Sequence, residues 1–135
     1  MSLAFVDANV FLRFFTKGDA AQHERSRRLF RAAEAGTVSL VTGPPVWFEV
    51  AWVLSSFYKL EKGEILDVLD RILALSGLQL MDRALVEEAV RLARASGQSF
   101  PDAYIAASAR ACRADGVATF HRADFEKLGA TIYDF

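Results

Sequence analysis

Apolar residues along this chain fall into short runs of three or four and into longer stretches spaced by three and four, with polar breaks between them. That pattern predicts strands alternating with helices. A first strand covers about 3–6 and ends at Asp7, and a helix over about 8–16 carries Phe11, Leu12, Phe14 and Phe15. Gly18 and Asp19 interrupt it. Asp19 can cap the next helix, about 20–35, which Gly36 closes. Residues 38–41 make a second strand, Gly43-Pro44-Pro45 a turn, and a helix over about 45–58 shows Val46, Val50, Val53 and Phe57 on one stripe. Another amphipathic helix covers about 61–76 with Ile65, Leu66, Leu69, Ile72 and Leu73 on its apolar side. A third strand follows at 78–81, a helix at about 83–96, and a helix opened by Pro101 and running to about 113. Asp115-Gly116 signals a turn before a fourth strand at 117–120. A short helix at about 123–128 and a fifth strand at 131–133 complete the order.

This alternation implies an α/β fold: one domain over 1–135, an α/β/α sandwich with a mostly parallel sheet of four to five strands covered on both faces. No internal repeat, low-complexity tract or linker divides the chain.

Four acids stand at the edge of, or inside, apolar segments: Asp7 in AFVDANVFLRFF, Glu49 in VWFEVAWVL, Asp102 in FPDAYIAASA and Asp124 in TFHRADFEKL. Burying carboxylates is costly unless a cation offsets them. Asp7 follows strand one directly, and Asp124 follows strand four by a few residues. Glu49 and Asp102 fall in the first turns of helices, so all four can face the carboxyl edge of one sheet, where open parallel sheets bind ligands. Glu49 shares its predicted helix face with Val46, Val50, Val53 and Phe57 and is expected to point inward. Each acid also has a plainer role open to it. Asp102 sits three residues after Ser99 in a capping pattern, Asp124 can cap its helix, and Asp7 can be a turn residue. The set in its order suggests a divalent-metal site of oxygen ligands, hence Mg²⁺ or Mn²⁺.

Composition narrows the class. At 135 residues with 53% hydrophobic residues, the chain can bury a proper core. Its apolar stretches are too interrupted by charge to span a membrane, and Asp7 and Asn9 fall where a signal peptide needs an apolar run. A cytoplasmic protein is expected. The single Cys112 excludes an internal disulfide and reads as a small buried residue. Net charge is −1, yet twelve of the sixteen basic residues are Arg, with Arg25, Arg27, Arg28 and Arg31 in one segment. Arg forks suit phosphate, although a solvated helix face explains them equally. Trp47, Phe48, Trp52 and Phe57 recur at helical spacing and are expected in the core or at an interface rather than as base-stacking platforms.

The chain resembles the PIN domain family, and within it the single-domain VapC-type toxins of bacterial toxin–antitoxin pairs, over essentially its whole length. VDANVFLRFF looks like the first family motif, FEVAWVL the second, FPDAYIAASA the third and TFHRADF the fourth. One departure is His121, which stands where many members carry Asp; Asp124, before Phe125, then supplies the acid. The resemblance implies a Mg²⁺- or Mn²⁺-dependent endoribonuclease with Asp7, Glu49, Asp102 and Asp124 as catalytic and metal-binding residues. Asn9 and Thr119 are then expected to orient the carboxylates. Arg13, Lys17 and His121 are candidate RNA contacts. It further implies a cognate antitoxin and a homodimer. The main alternative is a non-catalytic PIN-fold module that binds RNA or protein. A haloacid-dehalogenase-type phosphatase would need a second Asp where Asn9 stands, and a receiver domain would need a paired acid near the first strand and a Lys after the last.

Overall fold

In a computed structural model, which describes residues 2–135, the first three expected strands and the seven expected helices occur in order. They are β1 (Ser2–Phe5), α1 (Ala8–Phe15), α2 (Ala20–Glu34), β2 (Val38–Thr42), α3 (Pro44–Ser56), α4 (Lys62–Leu73), β3 (Leu78–Leu80), α5 (Arg83–Ser96), α6 (Phe100–Ala111) and α7 (Arg122–Lys127). The three strands form one parallel sheet in the order β1-β2-β3. Ala4 pairs with Leu40 and Leu40 with Leu78, while Phe5 pairs with Val41 and Val41 with Gln79. Side chains alternate between faces. Val6, Leu40, Thr42, Leu78 and Leu80 are accordingly buried, while Leu3, Phe5 and Met81 on the other parity are exposed.

The parallel α/β layout is as the sequence predicts, but the sheet has three strands where four to five were expected. The remaining pairing is an isolated parallel bridge between Val117 and Ile132. Thr119 explains why 117–120 does not extend: its Oγ1 accepts a hydrogen bond from His121 N at 3.0 Å, which turns the chain. Phe120 is left 90% exposed.

Local signals set most boundaries. Asp19 caps α2 by accepting from Gln22 N at 2.9 Å, and Pro44 and Pro45 open α3. Gly97 closes α5 with φ 73°. Cys112 is exposed at the end of α6, not buried as expected, because the helix stops there and its last turn leaves the core. Gly77 is constrained twice. Its φ is 77°, and a Cβ there would lie 2.5 Å from the carbonyl oxygen of Ala33 on α2. We expect Gly77→Ala to lower stability by at least about 1–2 kcal/mol, the cost of a left-handed L-residue before the clash is added. A shift of the urea midpoint without a change in slope checks this.

Candidate active site

Asp7 is held by the end of the sheet. Val6 N donates to Val41 O at 2.8 Å, locking the last residue before it to β2. Thr42, fully buried at the end of β2, donates its hydroxyl to Val6 O at 3.0 Å. Asp7 then serves as N-cap of α1, its Oδ1 accepting from Ala8 N at 2.8 Å. One carboxylate oxygen thus fixes the side chain and the other is left without a hydrogen-bond partner among the described residues. Thr42 was not singled out by the sequence reading. Its signal is a polar residue ending the apolar run VSLV just before Gly43 and two prolines.

Asp102 lies in the first turn of α6. Ser99 caps that helix, accepting from Asp102 N at 3.3 Å, so the capping role falls to Ser99 and the half-buried Asp102 carboxylate remains available. Asp124 is half-buried in the first turn of the short α7, which Phe125 anchors in the core. His121 occupies the N-cap position of α7 and is exposed.

Glu49 differs from expectation: it is exposed and does not point inward. The buried face of α3 is Val46, Trp47, Val50, Ala51 and Leu54. Nearly every residue of this helix is apolar, so periodicity alone leaves its orientation open. The bulky Trp47 and the closely packing Ala51 turn the helix away from the stripe through Val53 and Phe57. Phe57, past the helix end, is exposed, as is Trp52. The adjacent Phe48 meets Phe100 at 5.5 Å and Tyr104 at 4.9 Å between ring centroids. Glu49 on α3 and Asp102 on α6 therefore flank in sequence one aromatic cluster that ties their helices together. Burial pushes the Tyr104 hydroxyl pKa up, and the nearby charge of Asp82 adds to the effect. Asp82, at the end of β3 with φ 55°, is a further exposed acid on this edge that the sequence reading passed over.

The four predicted acids thus sit on α1, α3, α6 and α7 or at their N-termini. α1 packs against α3, α3 against α6, and α6 against α7. Among the described residues, none of the four forms an ion pair, whereas acids elsewhere do: Glu24 with Arg27, Glu88 with Arg91, and Asp67 and Asp70 with Arg94. The expectation that the acids are costly buried charges does not hold, since Asp7 and Glu49 are exposed. Among the described residues, no three His, Cys, Asp or Glu side chains stand close enough to hold one ion between them. The donor set still fits a hard cation. Mg²⁺ keeps several waters and usually takes only one or two carboxylates plus substrate phosphate.

The remaining expected residues are placed as follows. Asn9 is exposed and lines a groove between α1 and α2; Arg13 lines the same groove, its Nε donating to Gln22 Oε1 at 2.7 Å. Lys17 is exposed just beyond α1. Thr119 bonds locally to His121 N rather than to a carboxylate. Among the described residues, no helix is long and apolar enough to cross a membrane.

The model of the PIN domain family matches residues 4–130, nearly the whole chain. No curated protein matches the chain.

Proposed function

We infer the function from one premise: the chain belongs to the PIN domain family, whose members are generally nuclease modules. On our reading it is a metal-dependent endoribonuclease that hydrolyses RNA phosphodiesters, and the toxin of a toxin–antitoxin pair acting in the cytoplasm. The observation that carries this reading is Asp7. It is pinned at the carboxyl end of β1 through Val6 and Thr42 and has no cationic partner among the described residues. Three further unpaired acids follow on adjoining helices.

Asp7 and Asp102 would hold a Mg²⁺ or Mn²⁺ ion, and Asp124 on the adjoining α7 would complete the acidic set. When bound, the ion supplies an acidified water and a counter-charge for the developing phosphorane. The chain's own residues do the rest. Asp7, with one oxygen tied to α1, presents the other in a fixed direction. Glu49, exposed and unpaired, accepts a proton from the attacking water. The Phe48–Phe100–Tyr104 cluster holds the spacing between the helices that carry Glu49 and Asp102.

On this reading the antitoxin has a seat on the protein. An apolar groove of about 200 Å³ lies between α3, α4 and the turn before α6, lined by Ala51, Trp52, Ile65, Leu66 and Phe100. Its rim carries Lys62, whose Nζ donates to Gly97 O at 3.0 Å. Such a groove accepts the apolar face of a partner helix. A homodimer is part of the same proposal.

A second reading, a PIN module that binds RNA without cutting it, is favoured by the lack of three converging acids among the described residues. Expression in bacteria separates the two. The nuclease reading expects growth arrest that Asp102→Asn relieves. Arrest of equal severity by the Asp102→Asn protein would support the binding module. A second expectation concerns the ion itself. Millimolar Mn²⁺ raises the melting temperature of the wild-type protein, because a ligand bound only by the folded state stabilises it. The rise shrinks in Asp7→Asn, and an unchanged melting temperature in wild type counts against the metal site.

A further inference from the structure

The groove between α1 and α2 has about 470 Å³ of space and starts at Asn9, two residues past Asp7. Asn9 and Arg13 line it from α1, and Gln22, Arg25, Ser26 and Leu29 from α2. These positions follow the helical spacing of one face on each helix. The lining is therefore a continuous wall, and no acid belongs to it.

Its charges are unspent. Arg13 uses Nε on Gln22 and makes no ion pair among the described residues; Arg25 makes none either. On the same helix Arg27 is tied to Glu24, at 2.6 Å. Ser26, little exposed as a residue, lines the groove as well. Two guanidinium groups that can both donate, with a hydroxyl between them in the lining, suit an anionic oxygen. Asn9 and Gln22 add amides able to accept from a hydroxyl.

We propose that this groove holds a phosphodiester and the adjoining ribose of the RNA substrate, on one side of the bond cleaved at Asp7. Arg13 and Arg25 grip the phosphate, Ser26 donates to it, and Asn9 or Gln22 accepts from the 2′-hydroxyl. The groove then sets the register of the strand against the acids. This assignment rests on the ribonuclease reading above.

The probe is a fluorescent ten-nucleotide single-stranded RNA, with the DNA of the same sequence for comparison. Its binding is followed by anisotropy on Asp102→Asn protein, which leaves the strand uncut. Arg25→Gln in that background should weaken RNA binding about tenfold, and the slope of log K against log salt should fall by about 0.7, the value for one phosphate contact on a single strand. Arg71→Gln on α4 serves as the charge control and should change neither. Ser26→Ala in otherwise wild-type protein should raise KM with kcat unchanged, the mark of lost uniform binding. Arg25 makes no hydrogen bond to another side chain, so Arg25→Gln tests the groove without loosening α2. Unchanged affinity and salt slope in Arg25→Gln, with wild type still cleaving RNA in Mn²⁺, would overturn the groove and leave the nuclease reading standing. Neither binding nor cleavage by any form would overturn both.

Discussion

Asp7→Asn should lower RNA cleavage by about 10²-fold or more while leaving the folded state nearly as stable as before. The loss follows from removing one charge of a site that must neutralise a reacting phosphate; deleting a single preorganised electrostatic group typically costs about 10²–10³ in rate. The retained stability follows from the second task of the same side chain. Asp7 caps α1 through Ala8 N, and Asn caps a helix about as well as Asp. Asp7→Ala removes both functions and should cost about 1 kcal/mol of stability besides the activity. Steady-state cleavage and urea denaturation of both variants separate the roles. If Asp7→Asn cleaves as fast as wild type, Asp7 is a cap and nothing more.

Trp47→Ala should be the most damaging change to stability, by about 3–5 kcal/mol. Trp47 is 1% exposed and packs against Phe100 with centroids 6.3 Å apart. It sits where α3 meets α6, so the cavity would open beside the helix that carries Asp102. Trp47→Phe should be much milder than the lost volume suggests. The indole Nε1 is buried without a hydrogen-bond partner, and its removal relieves the cost of an unsatisfied donor, about 1–3 kcal/mol. Comparable losses from Trp47→Phe and Trp47→Ala in chemical denaturation would show that the indole N–H is satisfied in solution.

The order of elements was legible because local signals are strong here. Asp19, the two prolines after Gly43, Gly97 and Ser99 each act on their own neighbours, and each does in the structure what its chemistry predicts. The orientation of α3 was not legible. A helix with apolar residues almost all round has no unique buried stripe in its sequence, and packing of Trp47 against α6 decides the face. That decision puts Glu49 in solvent. The last strands were overread for a related reason. The run from Val117 is apolar enough for a strand, but the Thr119 hydroxyl competes for the backbone and ends it after one bridge. Placing the acids at the sheet edge needed only the order of strands and helices. Their exposure depended on long-range packing, which a sequence pattern does not carry. Thr42 shows the converse: its local residue type hinted at a buried hydrogen bond, but its partner, Val6 O, lies 36 residues away.

On this account Asp7 and the unpaired acids of the adjoining helices cut RNA with a divalent ion. Incubating the purified protein with a total small-RNA pool, in Mn²⁺ and in EDTA, tests it most directly. Discrete fragments that form in Mn²⁺ and not in EDTA are the predicted result. An intact pool in both, from a folded protein whose melting temperature rises with Mn²⁺, would contradict the account.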